Sequence, residues 1–242
     1  MSGQTKDLDE RRLSNRLAPS PEWGACRGFI ETTYQFQHDF FETDYLPSLL
    51  GLGAWDDRHW TSRVKIEKEL SMMKAAVLLD YEGYQRRPRS LRVDVLPGRG
   101  AQHKRLHAKV AMAVYEKAVR LIVGSANLTE PGYRHNVEAM GVLTVTPKNP
   151  EAAPLIVQAI AGGRDLLEPW LSRTDPSILA EAEAFLERLH MADSNDDWFC
   201  WGGGSEPVWR QVLSHWPANE RIASIKIVSP FWSVEDGRGP LM

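Results

Sequence analysis

Apolar and polar positions along the chain fall into short runs that change period several times. GFIETTYQF (28–36) alternates well enough for a strand. HDFFETDYLPSLLGLG (38–53) has helical spacing and is expected to stop at Pro47 or at Gly51 and Gly53. Thr61 or Ser62 is expected to cap a second helix over about 63–73. AAVLLD (75–80) and LRVDVLP (91–97) are Val- and Leu-rich runs bounded by Gly, Pro and Arg, the pattern of buried strands. HAKVAMAVY (107–115) and AVRLIVGS (118–125), joined by Glu116 and Lys117, predict a hairpin, and NVEAMGVLTVT (136–146) predicts a further strand.

From Pro150 onward the spacing turns helical. APLIVQAIAGGRDLLEPWL (153–171) and DPSILAEAEAFLERLHMA (175–192) are predicted helices, the second with Asp175 and Pro176 as N-cap and first-turn pair. The tryptophan-rich segment 196–216 predicts a turn and another helix, its tryptophans serving core packing rather than base stacking. IASIKIVSPFW (222–232) predicts a strand. TTYQFQHDFFETD and IVSPFWSVED share an order of strand, aromatic pair and acid, so a second structural repeat is expected to begin near Ile222. These elements predict an α/β fold. Its parts are a flexible leader over 1–22, a mixed-sheet lobe over 23–150, a helical extension over 151–221 and the truncated start of a second lobe over 222–242.

Composition narrows the class without choosing a function. The chain has 242 residues, 43% hydrophobic and 25% charged, which excludes a disordered or collagen-like protein. Cys26 and Cys200 form no CxxC pair and are too few for a disulfide framework. The opening residues are polar, with no secretory apolar core, and no run reaches the length of a membrane span, so a reducing cytosol is the expected compartment. Charge is more informative. Eight basic residues (Arg86, Arg87, Arg89, Arg92, Arg99, Lys104, Arg105 and Lys109) stand between Gln85 and Lys109 against one acid, Asp94, giving this segment +7 in a chain of net charge −3. A basic stripe on an acidic body suggests a local anion site; a solvated loop face accounts for the same run.

The candidate chemistry lies beside that stripe, in His107-Ala-Lys109, Gly124-Ser125-Ala126-Asn127 and Asn136-Val-Glu138. On a strand, His107 and Lys109 would project from one face. An imidazole can attack phosphorus while an ammonium neutralises a nonbridging oxygen. The Gly124–Asn127 turn at the open end of the hairpin would bring Ser125, Asn127 and backbone N–H groups to the same phosphate, with Lys104 and Arg105 adding charge. Glu138 is expected to accept from an imidazole N–H and fix its tautomer.

This spacing resembles the signature of the phospholipase D superfamily: H-x-K, four residues, an aspartate, then G-S-x-N and N-x-E. The aspartate position is held by Val114. A motif with His, Lys and Asn but no Asp is similar to that of the tyrosyl-DNA phosphodiesterase branch, and Tyr115-Glu116 adds to the likeness, which covers about residues 91–146. The resemblance implies a two-lobed enzyme with one motif per lobe. One histidine forms a phosphohistidine, the other protonates the leaving group and activates water, and no metal or other cofactor is needed. No other histidine here has a lysine two residues on, so half a site is expected, to be completed by a second lobe or a homodimer partner. The function expected is phosphodiester hydrolysis, with nucleic acid favoured over lipid as substrate. A non-catalytic phosphate- or nucleic-acid-binding lobe and a phospholipid-processing transferase are the alternatives.

Overall fold

The computed structural model of the chain describes residues 17–52, 60–84, 92–99, 105–189, 199–201 and 207–216. Six strands form one mixed sheet: β1 (Cys26–Thr33), β2 (Lys74–Asp80), β3 (Asp94–Gly98), β4 (Val110–Tyr115), β5 (Ala118–Gly124) and β6 (Met140–Val145). Their order is β3-β2-β1-β4-β5-β6, parallel across β3-β2-β1 and antiparallel from β1 to β6. The predicted hairpin is present, with Tyr115 paired to Ala118 across a two-residue link.

Helices cover both faces. After β1 the chain enters α1 (residues 38–49), whose middle turn, Phe41–Tyr45, widens to a π-helix. The widened turn lies just ahead of Pro47, which lacks an N–H and whose ring crowds the preceding turn. The helix therefore runs through the proline and ends where Gly51 adopts φ +67°. The next helix, α2 (Trp60–Ser71), begins before Thr61, so Thr61 and Ser62 lie in its first turn and are not its caps. Then come α3 (Ala153–Leu171), α4 (Ser177–Glu187) and α5 (Val208–His215). Helix α4 starts one residue later than expected, with Pro176 at its N-cap; the Asp175 carboxylate just ahead accepts from Ser177 N (3.0 Å) and lies 3.1 Å from Lys74. Those hydrogen bonds from Ser177, with Lys74 adding to them, hold its carboxyl down to about 2.

Alternation along the strands splits the core in two. Phe29, Val77, Leu79, Ala111, Ala113 and Tyr115 face α1 and α2, packing on Phe41, Tyr45, Leu49 and Ile66. Ile30, Ala76, Leu78, Met112, Val114 and Leu121 face α3 and α4, packing on Ile156, Ile160, Trp170 and Phe185. Within 151–221, α3 and α4 cover that face of the sheet, which would otherwise lie open to water. The glycine pair in mid-α3 follows from the same packing. A Cβ on Gly162 would stand 2.7 Å from the Trp201 ring, whose Nε1 donates to Ala159 O (2.9 Å). Leu17 is fully buried and the Arg120 guanidinium donates to its carbonyl (3.0 Å), so the leader's described end is packed on the sheet. Residues 1–16 and the expected strand and second-lobe start near Ile222 lie outside the described residues. Among those described, no helix is long and apolar enough to cross a membrane.

One buried group in the first core is costly. Glu31 sits at 2% exposure among Tyr45 and Tyr133, its Oε2 without a hydrogen bond, and burial pushes its carboxyl up to about 8. In the unfolded chain it would ionise near 4.5. The protonated form is the one folding favours, so stability is full below about pH 4.5 and falls as pH rises towards 8. Glu31→Gln should flatten this dependence, raising stability at pH 8 by on the order of a few kcal/mol more than at pH 5. Denaturant unfolding at the two pH values measures the difference; an equal effect at both would remove Glu31 as the titrating group.

Candidate active site

The strand directions bring four chain segments to one end of the sheet. The carboxyl ends of β1, β2 and β5 and the amino ends of β4 and β6 all open there. His107 and Lys109 lie just ahead of β4, which begins at Val110 rather than at His107 as the sequence predicts. The strand spacing therefore does not place them; hydrogen bonds do. Buried Asp80, at the end of β2, accepts from Leu106 N (2.8 Å) and from Glu82 N (2.9 Å), tying the approach to His107 to the sheet. On the other side, the Lys109 carbonyl accepts from Gly124 N (2.9 Å).

Between these anchors the two side chains meet. Lys109 Nζ lies 2.9 Å from His107 Nδ1 and donates to the His107 carbonyl (2.7 Å). An ammonium can donate to Nδ1 only if the ring is neutral there, with its proton on Nε2. Both groups are biased towards their uncharged forms. Partial burial of the ring, then the Lys109 charge, pushes His107 below its ordinary 6.5. Lys109 is only 8% exposed, and burial takes its amine down to about 8, against the pull of Glu138. The Tyr34 ring lies over His107 with centroids 5.2 Å apart.

Asn127 belongs to the same end of the sheet. Its Oδ1 accepts from Gln35 N (3.1 Å), and among the described residues its Nδ2 has no partner. Gly124 and Ser125 hold the neighbouring loop. Gly124 N is spent on Lys109, and a Cβ there would stand 3.1 Å from Ala139 O. Ser125 donates its hydroxyl proton to Glu138, accepts from Ala139 N (3.0 Å), and gives its own N–H to Ala139 O (3.0 Å). These groups staple the loop before β6. Glu138 accepts from Ser125 and from Asn136 Nδ2 (3.2 Å), not from the His107 ring. Its carboxylate reaches the pair through its charge on Lys109.

The described part of the basic stripe is partly neutralised. Arg105 pairs with Glu82 at 2.8 Å, Arg99 approaches the same carboxylate at 3.8 Å, and Arg92 lies 3.8 Å from Glu67. Lys104, Arg86, Arg87 and Arg89 lie outside the described residues. Among the described residues no group of three His, Cys, Asp or Glu side chains could hold a metal ion. Sequence reading missed Asp80, whose signal is an acid closing an apolar run; such a group is buried only when hydrogen-bonded. It also missed Tyr34, which nothing in the pattern marks.

No protein-family model and no curated protein sequence matches the chain. Among solved structures, the chain is similar to NucT from Helicobacter pylori, with 18% identity, 70% of this chain and 92% of that one covered, and a TM-score of 0.38. It is similar to the yeast tyrosyl-DNA phosphodiesterase with 9% identity, 73% and 38% covered, and a TM-score of 0.45. A mutant of yeast tyrosyl-DNA phosphodiesterase 1 gives 11% identity, 58% and 31% covered, and a TM-score of 0.38. The chain thus spans nearly the length of NucT and well under half of the yeast protein.

The pair makes a direct prediction. Removing the ammonium in Lys109→Met should raise the His107 pKa, and Asp80→Asn, which removes a carboxylate, should lower it further. Imidazole titration by NMR in the three proteins reads both signs; shifts in the same direction would break the assignment.

Proposed function

We propose that this chain is phospholipase D-like and hydrolyses phosphodiesters, nucleic acid above lipid, with His107 as nucleophile. The observation that supports this most is the His107–Lys109 contact at the sheet end, within the same loop cluster as Asn127. A phosphate oxygen is a stronger acceptor for an ammonium than a ring nitrogen is. An arriving diester would therefore draw Lys109 Nζ off Nδ1 and leave that lone pair facing phosphorus. The N–P bond forms as the bond to the leaving oxygen breaks, while Lys109 and the Asn127 amide take up charge on the nonbridging oxygens.

In-line displacement puts the leaving oxygen on the side of phosphorus away from His107. Its proton must come from a second imidazole, which then takes a proton from water as that water attacks phosphorus and the N–P bond breaks. We assign that imidazole to a second motif, carried by another copy of the chain or by a second lobe. Lys104 and Arg105 are left with a supporting electrostatic role, Gly124, Ser125 and Glu138 with holding the loop that Asn127 ends.

The free-base ring and the charged amine are needed together. On a p-nitrophenyl diester, whose leaving group needs no proton from the second imidazole, kcat/KM should rise with pH through a value below 6.5, as His107 loses its proton, and fall through about 8, as Lys109 loses its own. In Lys109→Arg the alkaline fall should vanish up to about pH 10, since guanidinium stays protonated. Activity should persist in excess EDTA. A requirement for added divalent metal, or an alkaline limb unmoved in Lys109→Arg, would overturn the mechanism.

A further inference from the structure

A polar cavity of about 460 Å³ opens at the same end of the sheet as the His107–Lys109 pair, with Asn127 in its wall and Gln35, the neighbour of Tyr34, on its edge. Its walls come from the loop after β1, the Glu82–Gly83 turn after β2, and the segment 127–136. The loop after β1 is bound in place on both flanks: Gln35 N donates to Asn127 Oδ1, and Gln37 N donates to Leu128 O (2.9 Å). Gln37 Oε1 in turn accepts from Glu130 N (3.0 Å). Gly83 permits a close crossing, since a Cβ there would meet Tyr34 O at 1.7 Å. The cavity is thus built by hydrogen bonds across three loops and belongs to the fold as much as the histidine does.

Its chemistry is unlike that of a phosphate site. Apart from Asn127, already assigned to the phosphate, Gln35, Gln37, Thr129 and Asn136 present amides and a hydroxyl, with His38 on one wall and Phe36 behind it, ring edge to ring face at 4.6 Å. The one formal charge among the lining groups, apart from any on His38, is Glu82, already held by Arg105. A free anion gains nothing there, and an acyl chain would strip water from amides that it cannot repay. A flat, neutral group with both donors and acceptors on its edge fits. Residues next in sequence to the lining Gln35 and Glu82 are aromatic: Tyr34, whose ring lies over His107, and Tyr81, 61% exposed, with the Arg99 guanidinium 5.9 Å from its ring centre. Aromatic rings beside guanidinium groups are what single-stranded nucleic acid uses, bases on the rings and phosphates on the cations.

We propose that this cleft receives the unpaired base of the nucleotide adjoining the scissile phosphate. The proposal rests on the phosphodiesterase reading for the position of that phosphate. A base in a duplex has its edge occupied by its partner, so the cleft selects single-stranded or frayed ends. Gln35 is exposed on the rim and its backbone, not its side chain, holds Asn127. Gln35→Leu therefore removes base recognition and leaves the wall standing.

Titration calorimetry on the whole chain tests this with thymidine 5′-monophosphate, thymidine 3′-monophosphate, glycerol phosphate and inorganic phosphate. One of the two nucleotides should bind at least about tenfold more tightly than glycerol phosphate, the worth of one or two net hydrogen bonds. Gln35→Leu should cut that advantage by about fivefold without changing inorganic phosphate binding, and Gln35→Glu should cut it as well. Equal affinity for both nucleotides and glycerol phosphate overturns the cleft, whether or not the chain hydrolyses diesters; so does a nucleotide advantage that survives both variants. Base-dependent binding in a chain that hydrolyses no diester would instead overturn the phosphodiesterase reading and leave the cleft.

Discussion

Strand β1 is the constraint on which the rest of the structure depends. It pairs on both sides, parallel to β2 and antiparallel to β4, and all its residues but Arg27 are buried. Phe29 serves one core and Ile30 the other, so a slip of one residue would exchange the two faces and send Glu31 into the wrong layer. The same pairing decides where chemistry can occur. Because β4 runs against β1, the chain ahead of β4 emerges beside the end of β1, and His107 meets Tyr34. Thr33, the last residue of β1, then takes Leu128 N on its hydroxyl (3.1 Å), which brings the loop after β5 to the same place.

That arrangement buries the side chains of Asp80 and Lys109. Asp80 is offset by two backbone N–H donors close to ideal length, and Lys109 by a carbonyl and a ring nitrogen. Buried lysine is expensive unless partnered, and the partner here is a group whose own charge would repel it. The pair is stable while the imidazole is neutral, which is the state a nucleophile requires. Glu138 supplies the opposing charge at a distance, so that Lys109 keeps its proton up to about pH 8.

Much of this was legible in the sequence. The six strands of the described residues follow runs that alternation and Val/Leu content mark, and the hairpin follows from two polar residues between apolar runs. Boundaries failed where side-chain hydrogen bonds override periodicity: β4 and β6 start later than their apolar runs because the preceding residues are committed to loops. The motif residues were legible as a set, but their jobs were not. Ser125 and Glu138 have the right identities for phosphate and imidazole, and only the structure shows them bonded to each other. Asp80 and the wall formed by Gln35 to His38 were not legible, because their roles come from pairings between β1, β2 and segments far along the chain.

The central claim is that His107 attacks phosphorus, and bis(p-nitrophenyl) phosphate tests it most directly. Its leaving group needs no proton, so the first step does not wait for a second imidazole. Rapid-quench mixing, followed by peptide mapping under alkaline conditions, should show a burst of about one nitrophenolate per chain and an acid-labile phosphoryl adduct on His107. Nitrophenolate release with no adduct on His107, or an equal burst from His107→Ala, would contradict the account.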